Sequence, residues 1–76
     1  MFGNAIKNFA YAGRLVAVDT RFSISCSSLK ALMKRHQVVT WNWKLRDGVA
    51  TFSVPQSEVE YLRGLFLRQK ILAIIL

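Results

Sequence analysis

The sequence predicts an α+β fold. Three observations carry that prediction: an Asp47-Gly48 turn between two alternating runs, helix-period segments on either side of that hairpin, and an apolar, β-branched run at the chain's end. With 76 residues there is room for one domain, because a chain this short exposes too much surface to support two cores. Residues 1–12 are expected to form an N-terminal extension and residues 13–76 a sandwich.

Phe2, Ile6 and Phe9, spaced four and three apart, predict a short amphipathic N-terminal helix that Gly13 ends. Leu15 to Val18 follow as a strand. The alternation of Val16, Val18, Thr20, Phe22, Ile24 and Cys26 is strict enough to carry that strand as far as the serines. Ser28 is the expected N-cap of the next helix, with Leu29, Leu32, Met33 and His36 facing inward and Lys30 and Lys34 outward. At the end of that helix, His36 fits a residue beside the carbonyl dipole better than a catalytic base.

Val38 to Val54 is the most strongly specified stretch. Asp-Gly is a strong signal for a two-residue type I′ turn, which sets Arg46 opposite Val49, Leu45 opposite Ala50, Trp43 opposite Phe52 and Trp41 opposite Val54. That register collects Trp41, Trp43, Leu45, Ala50 and Phe52 on one apolar face. Thr40, Asn42, Lys44, Thr51 and Ser53 then form a polar face without a platform for stacking bases.

Pro55 ends the second strand of the hairpin. Ser57-Glu58-Val59-Glu60 reads as a capping box opening a helix, with Val59, Leu62, Leu65, Phe66 and Tyr61 inward and Glu58, Arg63 and Arg68 outward. Lys70 to Leu76 closes the chain as a strand. The order strand, helix, strand, strand, helix, strand folds most economically as a ferredoxin-like split βαβ sandwich, four antiparallel strands with both helices on one face.

The composition, 53% hydrophobic and 20% charged, suits a packed core rather than a disordered segment. A single cysteine, Cys26, cannot form an intramolecular disulfide and reads as a small buried apolar residue. Met1 to Ala12 carries only Lys7 and lacks a long apolar run, so it makes a poor signal peptide. The run Ile71 to Leu76 is far shorter than the roughly 20 residues that span a bilayer.

No catalytic set is legible. Asp47 makes the turn, Glu58 and Glu60 suit a helix's first turn, Asp19 lies at a strand end, and Gly3, Gly13, Gly48 and Gly64 are too scattered for a phosphate loop. We therefore expect no enzyme, no cofactor and no metal site. Eleven Lys and Arg against four acidic residues give +7, which favours an anionic partner. Lys30, Lys34, Arg35, Arg63, Arg68 and Lys70 are the expected contacts to an anionic surface or partner. Ile71, Leu72, Ala73, Ile74, Ile75 and Leu76 contain no charge or proline, so this edge is expected to pair with a protein partner or a second copy.

Gly13-Arg14-Leu15-Val16, the helix Leu29 to Met33, the strand Val39-Thr40-Trp41-Asn42-Trp43-Lys44-Leu45-Arg46, and Ser57-Glu58-Val59-Glu60-Tyr61-Leu62-Arg63 together resemble the N-terminal region of the bacterial sporulation protein YqfD family. The resemblance covers residues 13 to about 70. It implies a basic, non-enzymatic N-terminal domain ahead of membrane-spanning and extracytoplasmic parts of a longer chain, in proteins required for spore development, and we expect a cytoplasmic place at the inner face of a bacterial membrane. The family usually continues through a basic, Gly-containing stretch into a membrane helix, whereas the sequence here stops at Leu76, and residues 22–28 are richer in serine than the matching helix start. Two functions are thus expected: a membrane-proximal interaction or assembly domain, or a small basic nucleic-acid-binding domain.

Overall fold

The β-hairpin organises the sheet. In the computed structural model, which describes residues 13–76, Asp47 and Gly48 both take positive φ, 53° and 77°, as a type I′ turn requires. The strands that it joins are β2 (Trp41–Arg46) and β3 (Val49–Pro55). Arg46 lies opposite Val49, Leu45 opposite Ala50 and Lys44 opposite Thr51, in the expected register.

Beyond Lys44 the register slips. Trp41 lies opposite Ser53 instead of Val54, so three steps along β2 match two along β3. Asn42 absorbs the extra residue with φ 57°, a left-handed conformation that asparagine tolerates better than most residues. This β-bulge corrects the expected pairing of Trp41. Trp43 stays on the core side, stacked on Phe52 with ring centroids 4.1 Å apart and planes 14° from parallel. Trp41 now shares the face of Ser53.

A first strand, β1 (Gly13–Asp19), pairs antiparallel with β3, setting Val16 opposite Phe52 and Val18 opposite Ala50. On its other side β1 pairs antiparallel with β4 (Ala73–Ile75), giving the order β2-β3-β1-β4. The strand does not continue to the serines. At Asp19 the backbone turns: the carboxylate accepts the Arg21 N–H at 2.9 Å, and the Ser23 hydroxyl donates to the Asp19 carbonyl at 2.9 Å. Thr20, Phe22 and Ile24 alternate by coincidence, and Phe22 is exposed. Thr20 also ties this turn to the hairpin, its N–H and hydroxyl both donating to the Gly48 carbonyl.

Helix α1 (Cys26–Arg35) is capped by Ser25, not by Ser28 as expected. The Ser28 N–H donates to the Ser25 hydroxyl at 3.2 Å, so the first-turn serine is the donor and the residue before the helix the acceptor. The second helix, α2 (Val59–Gln69), starts without the expected capping box. Gln56–Glu58 form a 3₁₀ turn in front of it, and no side chain caps either start. The Val59 N–H bonds to the Gln56 carbonyl, closing that 3₁₀ turn with backbone alone.

Both helices end alike. Gln37 and Lys70 are left-handed, with φ of 58° and 56°. The next N–H, of Val38 or Ile71, reaches back to the Met33 or Phe66 carbonyl in a Schellman arrangement that buries Val38 and Ile71. A side chain in that conformation costs roughly 1 kcal/mol relative to glycine. The burial that follows offsets it.

Both helices pack on one face of the sheet. Leu29, Leu32 and Met33 from α1 and Val59, Leu62, Leu65 and Phe66 from α2 join Val16, Val18, Ala50, Phe52 and Val54 in a single core. Cys26 is half-buried against it. Besides Trp41, three inward assignments change, those of His36, Tyr61 and Leu45; His36 is half-buried and outside the core. Tyr61 is exposed, its hydroxyl 2.6 Å from His36 Nδ1, so it bridges the helices at the surface. Leu45, although opposite the buried Ala50, is exposed because it lies on an outermost strand. The N-terminal helix expected around Phe2, Ile6 and Phe9 lies outside the described residues.

Candidate interaction surfaces

Three surfaces have the chemistry of contact sites: the β4 edge with the open face of the sheet, the cationic helix layer, and a groove between α1 and β2. The open face follows from strand alternation, since every second residue of a strand points away from the helices. Leu15 of β1 and Ile74 of β4 fall there, as do Leu72 and Leu76, which extend the pairing of β4 with β1. All four are exposed, Leu72, Ile74 and Leu76 at 61 to 64%. The side chains expected here from the hairpin were Thr, Ser, Asn and Lys, with apolar ones expected from the last strand alone. With Trp41 also turned there by the bulge, the face is considerably more apolar.

The β4 edge is unguarded in its chemistry. Asp19 N–H bonds to the Leu72 carbonyl and Leu76 N–H to the Leu15 carbonyl, so the backbone groups of residues 72, 74 and 76 face β1. Those of Ala73 and Ile75 point outward by alternation. No charged side chain belongs to β4. Arg14 donates through Nε to the Leu76 carbonyl, and Arg63 is 3.8 Å from Glu60. Of the expected edge residues, Ile71 packs inward but lies in the Schellman turn ahead of the strand, its N–H bonded to the Phe66 carbonyl. The regular strand is Ala73–Ile75, shorter than the expected Lys70 to Leu76.

The six cations expected to meet an anionic partner are all exposed and lie on or beside the helices. Lys30, Lys34 and Arg35 belong to α1, Arg63 and Arg68 to α2, and Lys70 caps α2. They fall on the layer opposite the apolar open face. Arg63 is the one of the six in an ion pair among the described residues, with Glu60. At the start of the turn after β1, hydrogen bonds from the Arg21 guanidinium and backbone N–H hold the Asp19 carboxyl below its ordinary pKa. That pair is surface electrostatics at the turn and belongs to none of the three surfaces.

Sequence pattern does not reveal the third surface. Met33 and Val38 form its floor, Trp43 one wall, and Lys30 and Lys34 the rim. Trp43 is fixed by its stack on Phe52 and by its indole N–H, which donates to the Thr40 hydroxyl at 2.8 Å. The signal available beforehand was the i, i+4 spacing of Lys30 and Lys34 beside a half-buried aromatic, legible only once α1 and β2 are known to be adjacent.

Compared with protein-family models, with curated proteins and with solved structures, the chain has no match. No helix among the described residues is long and apolar enough to cross a membrane.

Proposed function

We propose that this chain is a non-enzymatic assembly domain that pairs with a second copy of itself through the β4 edge. The strand order and the placement of both helices on one face support a ferredoxin-like split βαβ sandwich. In that arrangement β4 is an outermost strand. One observation carries the reading: β4 combines outward backbone groups at Ala73 and Ile75 with the exposed side chains of Leu72, Ile74 and Leu76, and no charge interrupts them. Two antiparallel copies of one apolar edge satisfy each other about a two-fold axis, so a second copy suits the edge without a further component.

Charge distribution supports the same occupant. Although the chain carries +7, its exposed cations concentrate on the helix layer and on Lys44 and Arg46 of β2, the strand farthest from β4. β4 itself carries no charge, and the cations beside it are Arg14, held on the Leu76 carbonyl, Arg63 and Lys70. The cationic helix layer is left to face an anionic surface. Together with the YqfD resemblance, it supports a place at the cytoplasmic face of a bacterial membrane.

Sedimentation over a concentration series tests this. The unmutated chain is expected to move from monomer to dimer, and the Leu72→Lys, Ile74→Lys double variant to remain monomeric and folded, since both side chains are exposed. A chain that stays monomeric throughout, or a double variant that dimerises as well, contradicts the reading.

A second reading, nucleic-acid binding, is favoured by one observation: the bulge turns Trp41 onto the same face as Lys44. The two central strands present Leu15, Ala17, Thr51 and Ser53 there and no ring, so a stacking platform is limited to one edge. Tight, sequence-selective binding of an RNA or DNA oligonucleotide at physiological salt would favour this second reading.

A further inference from the structure

We infer that the groove between α1 and β2 is a binding site for an extended, acidic peptide segment of a partner protein. This site is on the opposite side of the sheet order from β4 and does not depend on self-association. The groove encloses about 470 Å³, room for one or two side chains. Its floor is apolar, from Met33 and Val38, and its wall is the Trp43 ring, held by Phe52 on one side and by Thr40 through the indole N–H. A ring fixed this way offers contact area without an ordering cost on binding.

Charge specifies the sign of the occupant. Lys30 and Lys34 stand one helical turn apart on the rim, no acidic residue lines the groove, and neither lysine is in an ion pair among the described residues. The Lys30 ammonium lies 5.2 Å from the centre of the Trp43 ring, where the ring's negative face holds it in place of a carboxylate. A carboxylate reaching the rim takes both ammonium groups, and an apolar neighbour in the peptide takes the ring.

Backbone favours a peptide over a polynucleotide. β2, which supplies Trp43, is an outermost strand of the described sheet, and an extended peptide adds to such a strand where a sugar-phosphate chain does not. Successive residues of such a peptide alternate in direction. One set meets Trp43 and Met33 while the other meets solvent and the lysines.

The test is a titration of the isotope-labelled chain with a blocked peptide of alternating glutamate and leucine, followed by the amide and indole resonances. Saturable movement of the Trp43 indole N–H with the Lys30 and Lys34 amides is expected, weakening as salt rises. A Lys30→Glu, Lys34→Glu variant should lose about tenfold or more in affinity, the shift that reversing two rim charges produces. A Lys30→Arg, Lys34→Arg variant should keep it. Equal binding of the lysine-for-glutamate peptide, movement confined to the open face, displacement of the peptide by a short RNA, or no saturation at millimolar peptide would each overturn the inference.

Discussion

Phe52→Ala is expected to remove about 3–5 kcal/mol of stability, the range for truncating a fully buried phenylalanine. Phe52 has no exposed surface, lies opposite Val16 in the sheet and supports the Trp43 ring from below. Its loss opens a cavity at the meeting point of β1, β3 and both helices, where rigid strands prevent collapse. A domain of this length has roughly 4–11 kcal/mol in total, so the variant stands at or near the point of unfolding. Chemical denaturation followed by tryptophan fluorescence checks it. A midpoint close to that of the unmutated chain would show that the core does not centre on Phe52.

Trp43→Ala is expected to cost less, about 1–3 kcal/mol, even though the side chain removed is larger. The ring is half-buried: one face rests on Phe52, and the other meets the Lys30 ammonium and the groove. What is lost is the stacking contact and part of a side chain's burial, and water already reaches the rest. The same denaturation experiment measures it, and the ordering of the two variants is the informative result. A Trp43→Ala variant less stable than Phe52→Ala would place the indole deeper than its exposure allows.

The core was legible because periodicity and turn chemistry agree there. Leu29, Leu32 and Met33 repeat at helical spacing, as do Val59, Leu62, Leu65 and Phe66, and all seven are buried. Asp47-Gly48 specified the hairpin and its first three pairs. What the sequence concealed depends on single backbone conformations. Asn42 is ordinary in a strand pattern, yet its left-handed φ moves Trp41 to the opposite face. The Asp19 turn stops a strand whose alternation continues for several more residues, because local side-chain hydrogen bonds compete with the ladder.

The interaction surfaces were legible in part. The six cations are exposed and lie in one layer, and the apolar end of the chain forms an outermost strand as its composition suggests. Ile71 packs inward as alternation implied, but a strand pattern does not reveal that a Schellman turn, not the strand, carries it there. The α1–β2 groove joins residues 30, 34, 38 and 43 across a helix end and a bulge. No one-dimensional period connects those positions.

Amide hydrogen exchange at Ala73 and Ile75, measured at low and high protein concentration, tests the proposed assembly most directly. Their N–H groups point away from β1, whereas Leu76 N–H is bonded to it and serves as an internal reference. Self-pairing predicts that protection at Ala73 and Ile75 rises with concentration and that the Leu72→Lys, Ile74→Lys variant shows no such rise. Fast exchange at both amides, unchanged with concentration while the chain stays folded, would contradict pairing through β4.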